Sequence, residues 1–252
     1  ALAADQKVST WLEPDLGVPG VRVVSTRRQG GVSTGRYAGL NLGDHVGDDI
    51  ECVASNRALL DTYLPPERAV TWLAQVHGTR VLYAPTDYVQ GVQADAIWTD
   101  TETFACTIMT ADCLPIVLAD RKGRCIAAIH GGWRGLANHI LRQTVEALPV
   151  PASELIAWLG PAIGPTAFEV GGDVLAAFHL AETDAAVSRI SGVADKYLVD
   201  LNMIARRQLL SLGLDAQHVT GGDICTFSDS SDFYSYRRDG VTGRMATVIY
   251  FD

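Results

Sequence analysis

Between residues 95 and 129 the chain delivers four short apolar runs, near 95–98, 104–109, 114–119 and 124–129, with only brief interruptions. Apolar runs of this length, bounded by turn residues, read as strands. Further strands are expected at Val21–Ser25, 70–76, 79–84 and Ile156–Leu159. Helical spacing is rarer. Residues 50–64 place Val53, Arg57, Leu60 and Leu64 on one face, and residues 135–148 do the same with Leu136, Ile140, Leu141, Val145 and Leu148. Helices are also expected near 171–179 and 200–212. The stretch FYSYRR, DGVTG, RMATVIYF reads as a closing hairpin that turns at Asp239-Gly240. Many strands and few helices predict an α+β fold with mixed sheets. No repeat, low-complexity tract or linker divides the 252 residues, so a single domain over 1–252 is expected, with two small ones the alternative.

Charge narrows the partners. The net charge is −9 and no basic block occurs, which argues against a nucleic-acid partner. A small anion is still compatible, because a few placed arginines make a positive pocket on an acidic protein. No apolar run approaches the roughly 20 residues that span a bilayer, so no membrane partner is expected. The opening ALAADQKVST lacks a basic region followed by an apolar one; no signal peptide is expected and a cytoplasmic location is the default. Cys52, Cys106, Cys113, Cys125 and Cys225 are odd in number and form no CxxC, so reduced thiols are expected rather than a disulfide framework.

Three residues stand where a strand gives way to a loop: His77 after TWLAQV, Cys113 after FACTIMTAD, and His130 after CIAAI. Such positions collect binding groups. Two imidazoles and a thiolate suit zinc, and three protein ligands leave a fourth position for water or substrate. Zinc lowers the pKa of coordinated water to about 7. Spacing alone does not tie the three together. Each histidine also fits a structural role, and Cys113 fits a buried small side chain. Asp112 is a candidate proton carrier or a structural hydrogen-bond acceptor. The glycine-bearing turn HGGWRG, with Arg134, is either an anion cradle or a plain strand-to-helix turn. Arg57 either snorkels from its apolar stripe or points into a site. The long segment RRQGGVSTGRYAGLNLGDHVGDD is functional or disordered, and its Asp44, Asp48 and Asp49 do not have EF-hand spacing. Tyr37 and Phe168 are stacking or packing residues, Arg237 a cavity wall or a solvated edge charge, and Met109 an axial metal ligand or a core side chain.

The stretches LAQVHGTRV, MTADCLPIVLAD, AAIHGGWRGLA, WLGPAIGPTAFEVGG and FYSYRRDGVTGRMA resemble the YfiH-like family, also called the laccase-domain or polyphenol-oxidase family. The segment STRRQGGVSTGRYAGLNLGDHVGDD is similar to its N-terminal signature, and the resemblance runs from about Ser25 to Tyr250. It implies a layered α/β/β/α fold and a metal, zinc or copper, held by His77, Cys113 and His130. It also implies phosphorolysis of adenosine, inosine and methylthioadenosine, deamination of adenosine, phenol oxidation, or an amidase role in peptidoglycan editing. Arg57 would contact substrate, and Arg27, Asn41, His45 and Arg134 join it as expected substrate-binding residues.

These chemistries make different demands. Phosphorolysis needs phosphate held at the ribose, for which the HGGWRG turn, Arg27 and Arg57 are candidates. Deamination needs an activated water, but the HxE and PCxxC signature of the zinc deaminases is absent. A multicopper cluster needs many paired histidines. The six here have no pair two residues apart, which leaves a single copper in the His₂Cys site. Alternatively Cys113 is a nucleophile, with His130 its base and Asp112 the orienting acid. A purely structural metal site would usually have four ligands. The expectation is a zinc-dependent purine nucleoside phosphorylase acting on nucleoside and phosphate, with adenosine deamination a further candidate activity. A copper-dependent polyphenol oxidase and a cysteine-type amide hydrolase are the alternatives.

Overall fold

Every residue of the strands Leu114–Asp120, Ile126–Gly131 and Met245–Phe251 is buried, a pattern that only sheets covered on both faces produce. The computed structural model describes residues 11–252, so the segment expected to lack a signal peptide lies outside the described residues. The strands are β1 (Val21–Ser25), β2 (Ala69–Val70), β3 (Val81–Tyr83), β4 (Ala96–Thr99), β5 (Phe104–Thr110), β6 (Leu114–Asp120), β7 (Ile126–Gly131), β8 (Leu155–Leu159), β9 (Glu169–Val170), β10 (Val187–Arg189), β11 (Tyr197–Val199), β12 (Val219–Gly221) and β13 (Met245–Phe251). The helices are α1 (Ile50–Tyr63), α2 (Ala84–Asp87), α3 (Trp133–Ala137), α4 (Ile140–Ala147), α5 (Gly172–Ala177), α6 (Leu201–Ser211) and α7 (Tyr236–Asp239).

One sheet has the order β1-β13-β5-β2, a second the order β12-β8-β6-β7-β4-β3, and β10-β11-β9 form a small third. The two large sheets are mixed: β2–β5, β3–β4 and β8–β12 pair in parallel, whereas β6–β7 and β13–β5 are antiparallel. Between them Val23, Ile108 and Ile249 meet Val117, Ile126, Ala128 and Trp158. The outer face of the four-stranded sheet packs Val24, Met109 and Val248 under Leu60 of α1. The outer face of the six-stranded sheet packs Ile116, Leu118 and Ile129 under Ile140 and Val145 of α4 and Leu209 of α6. Each fully buried Leu, Ile or Val contributes about 1.5–3 kcal/mol. The layering is therefore the expected α/β/β/α, and the fold α+β with mixed sheets.

The helix expected over 135–148 is broken into α3 and α4 at His139, whose φ of 69° leaves the right-handed helix. The closing hairpin does not form. Ser235 caps α7 instead, and β13 inserts between β1 and β5, which gives a wholly buried, largely apolar strand a partner on each side. Of the run 70–76 only Val70 joins the sheet, in the two-residue strand Ala69–Val70, because beyond it the Thr71 hydroxyl, not the backbone, accepts the Thr107 N–H. The glycine-rich segment is anchored. Buried Asn56 of α1 accepts the Val32 N–H and donates to Ser33 Oγ and the Asn41 carbonyl. All five cysteines are unpaired, and no helix among the described residues is long and apolar enough to cross a membrane.

The pairing also sets the site. Pro115 faces His130 across β6–β7, and Thr110 faces Met245 across β5–β13. Cys113, His130 and Arg244 are thus brought to one end of the sandwich.

Candidate metal centre and its cavity

His77, Cys113 and His130 converge so that one ligand atom from each lies within 4.8 Å of the others. Asp95, fully buried just ahead of β4, organises two of them. Its carboxylate accepts the successive N–H groups of Val76, His77 and Gly78 at 3.2, 2.8 and 2.8 Å. That wraps the loop and supports His77 at a φ of 59°. The same carboxylate lies 2.8 Å from His130 Nδ1 and accepts a hydrogen bond from it, which leaves Nε2 for the cluster. A carboxylate behind a ligating imidazole is the recurrent outer partner of metal sites. His77 is exposed, Cys113 half-buried and His130 buried, so the cluster opens to one side.

Burial raises the Cys113 thiol, but the imidazoles of His130 and His77 outweigh it and hold the thiol below its ordinary pKa. Burial lowers His130, whereas Cys113 and Asp95 lift it above its ordinary value. The deprotonated thiol is the form that ligates metals or attacks an electrophile. A nitrogen, nitrogen, sulfur donor set with a fixed tautomer and a favoured thiolate fits zinc or copper.

Gly132 completes the cradle. A Cβ there would sit 2.8 Å from His77 Cδ2 and 3.5 Å from Cys113 Sγ. Gly132→Ala is expected to displace the His77 ring and weaken metal binding by about 10–100-fold, the scale at which misplaced ligands act. Chelator competition measures it. An unchanged affinity in the folded variant would mean that the ring does not need this space.

The cluster opens into a cavity of about 490 Å³, a size within the roughly 300–1,000 Å³ of small-molecule sites. Trp133, Ile163, Phe168, Leu201 and Tyr236 supply apolar and aromatic surface, and His45, Gln75, Arg134, Arg237 and Arg244 supply polar groups.

The expected site residues divide. His45 and Arg134 line the cavity with the cluster. Arg57 lines a neighbouring cavity of about 210 Å³. Its guanidinium donates to the Leu42 carbonyl, pairs with Asp44 at 3.2 Å and covers the Trp72 ring. Arg27 is not on the cavity wall; it pairs with Asp232 over Phe233. Asn41 is fully buried and its carboxamide oxygen accepts the Gly43 and Arg244 N–H groups. Asp112 touches the cavity, but its carboxylate already accepts Thr226 Oγ1, Ser235 Oγ and the Arg237 N–H. The acid that orients His130 is Asp95, not Asp112. Phe168 and Arg237 line the cavity, whereas Tyr37 donates its hydroxyl to the Val46 carbonyl. Met109 reaches the cavity, and its sulfur accepts from Arg57. Asp48 accepts from Ser33 and Asn41, and Asp49 caps α1, so the acidic loop is used up in local bonds.

Sequence reasoning missed Asp95, Gln75 and Arg244. The signal for Asp95 was an acid inside ADAIW, since a charge within a buried run must find partners. Arg244 carried a similar signal, a cation at the head of an apolar strand.

A family model described as multi-copper polyphenol oxidoreductase laccase matches residues 22–252. The chain belongs to this laccase family. Its resemblance to YfiH-like proteins is borne out by full-length relatives. A protein of Pseudomonas aeruginosa named a purine nucleoside phosphorylase is 47% identical over 245 residues, covering 96% of this chain and 99% of that one. Purine nucleoside phosphorylase YfiH of Escherichia coli is 42% identical, covering 96% and 97%. Among solved structures, a laccase-family protein of Neisseria meningitidis superposes with a TM-score of 0.90 at 44% identity, covering 96% of this chain and 99% of that one. YlmD from Geobacillus stearothermophilus gives 0.88 at 30% identity, covering 98% and 97%.

Proposed function

We propose that this laccase-family chain is a zinc-dependent purine nucleoside phosphorylase. One observation carries the reading: an open His77–Cys113–His130 cluster shares a single cavity with aromatic surface and with three arginines. Aromatic surface suits a purine, arginine suits phosphate, and the cavity has room for both.

In the reaction a phosphate oxygen forms a bond to the ribose C1′ while the C1′–N9 bond breaks. The bond's electron pair leaves with the purine, which takes up the proton brought by dihydrogen phosphate. The products are free base and ribose 1-phosphate. The side chains contribute by position. Trp133, Phe168 and Leu201 offer surface to the base and exclude water from it. Burial, reinforced by Arg244, lowers His45 below its ordinary pKa, so at neutral pH it faces the cavity as an uncharged hydrogen-bonding ring. His77, Cys113 and His130 would hold the ion, with Asp95 fixing His130. When bound, zinc supplies Lewis-acid polarisation of an oxygen placed beside it. Adenosine deamination, in which water replaces the C6 amine and ammonia leaves, is the companion activity assigned to the same cavity.

A second reading is favoured by one contact. Cys113, His130 and Asp95 line up as thiol, imidazole and carboxylate, the order of a cysteine hydrolase. A third, a copper-using phenol oxidase, rests on the description of the family model and would use the same three ligands.

Metal analysis of the purified protein, with adenosine turnover followed with and without phosphate, separates them. The expected result is one zinc per chain, and adenine plus ribose 1-phosphate only when phosphate is present. Inosine identifies deamination. Stoichiometric copper with phenol turnover supports the oxidase. Metal-free protein alkylated rapidly at Cys113 supports the hydrolase. Stoichiometric zinc with neither adenine nor inosine defeats the nucleoside reading.

A further inference from the structure

The charge around the cavity does not balance. On a chain of net charge −9, the cavity wall carries Arg134, Arg237 and Arg244. Its one carboxylate, Asp112, is occupied by Thr226, Ser235 and the Arg237 N–H. None of the three guanidinium groups has a carboxylate within 4.0 Å among the described residues. Other arginines of the sequence motifs do: Arg27 pairs with Asp232 and Arg57 with Asp44.

Arg244 is the most enclosed of the three. Its Nη1 donates to the carbonyls of Thr242 and Gly243, both at 3.0 Å. Its Nε and Nη2 donate to nothing among the described residues. The backbone that carries it is clamped, since its N–H donates to Asn41 Oδ1 at 2.9 Å and its carbonyl accepts the Leu42 N–H. Gly43 makes room for the stem: a Cβ there would lie 2.8 Å from Arg244 Cγ. Arg237 is tethered through Nη1 to the Glu169 carbonyl and lies over Phe168. Arg134 lies over Trp133. Planar forks held over aromatic rings, with donors to spare and no carboxylate, are built for a tetrahedral oxyanion.

We propose that Arg244, together with Arg237 and Arg134 of the same cavity wall, is the inorganic-phosphate subsite of this cavity, and that Asn41 and Gly43 serve it as positioning residues. The assignment rests on the phosphorylase reading for its choice of oxyanion. It moves phosphate away from Arg27 and Arg57, and it gives Asn41 a role behind the wall.

The test is titration of inorganic phosphate into the metal-loaded protein by calorimetry, alongside steady-state KM values for phosphate and for adenosine. Losing a charge-assisted bond to phosphate costs on the order of ten- to a hundredfold in affinity. Arg244→Met is expected to raise the phosphate Kd and KM by that factor and to leave the adenosine KM within about threefold. Gly43→Ala, which changes no charge, is expected to shift phosphate in the same direction by displacing the Arg244 stem. Arg237→Met is expected to act more weakly, and Arg189→Met, outside the cavity wall, not at all. Should Arg244→Met fail to fold, Gly43→Ala and Arg237→Met decide the matter. Unchanged phosphate affinity in the folded variants overturns the subsite while leaving phosphorolysis standing. Phosphate that competes with adenosine, instead of binding beside it, overturns it too. Arginine-dependent phosphate binding without phosphorolysis keeps the subsite and removes the phosphorylase reading.

Discussion

Replacing Cys113 with alanine is expected to leave a folded protein that retains no metal and does not turn over adenosine. Loss of an outer partner alone weakens metal sites by about 10–100-fold, and Cys113 supplies the only sulfur of the cluster. The loss should therefore exceed about a hundredfold. The fold should tolerate the change. Cys113 is half-buried in the short turn between β5 and β6, where removing one sulfur costs about 1 kcal/mol or less. Metal content and melting temperature in the presence of a chelator measure both halves of the claim. A variant with one metal per chain and wild-type turnover would refute it. A variant that keeps its metal but loses activity would instead make Cys113 the nucleophile.

Asp95→Ala is expected to be worse for the protein as a whole. One carboxylate accepts three loop N–H groups and faces the buried His130 ring, so its removal strands four donors at once. Breaking a buried charged pair costs about 3–5 kcal/mol. The loop would no longer hold His77, and His130 would lose the partner that fixes its tautomer, so metal affinity should fall by about 10–100-fold as well. Asp95→Asn separates the two effects. Its amide oxygen can still accept loop N–H groups, so part of the stability returns. Its NH₂ faces His130 as a donor where an acceptor is needed, so metal affinity does not return. Thermal unfolding and chelator competition on both variants give the comparison. An alanine variant as stable and as metal-avid as the wild type would remove Asp95 from its assigned place.

What the sequence made legible was mostly local. The apolar runs of β4 to β8 are visible because burial on both faces leaves little room for polar residues. The cluster was legible through motif resemblance, since no spacing rule links His77, Cys113 and His130. What escaped was set by distant partners. Asp95 looks like any acid in a strand until His130 comes to face it. Arg57 and Arg244 are both arginines beside apolar residues, and only the fold gives Asp44 to one and, among the described residues, no carboxylate within 4.0 Å to the other. The hairpin expectation failed because Asp239-Gly240 is a sound turn signal, but a local one. It ends α7, and the strand beyond it answers to β1 and β5.

That placement of β13 bears on how the chain reaches its native state. Val21 pairs with Phe251 and Ser25 with Thr247, so, apart from the bridge between Ser25 and Leu12, the earliest strand among the described residues has no sheet neighbour until the last has been synthesised. Contacts so far apart along the chain close slowly. While the polypeptide is still emerging, β1 and β5 present bare edges, and the segment bearing Arg244 has not yet arrived. Nascent protein should therefore lean on chaperones, and truncation ahead of Met245 should yield an insoluble product, not a weakened enzyme.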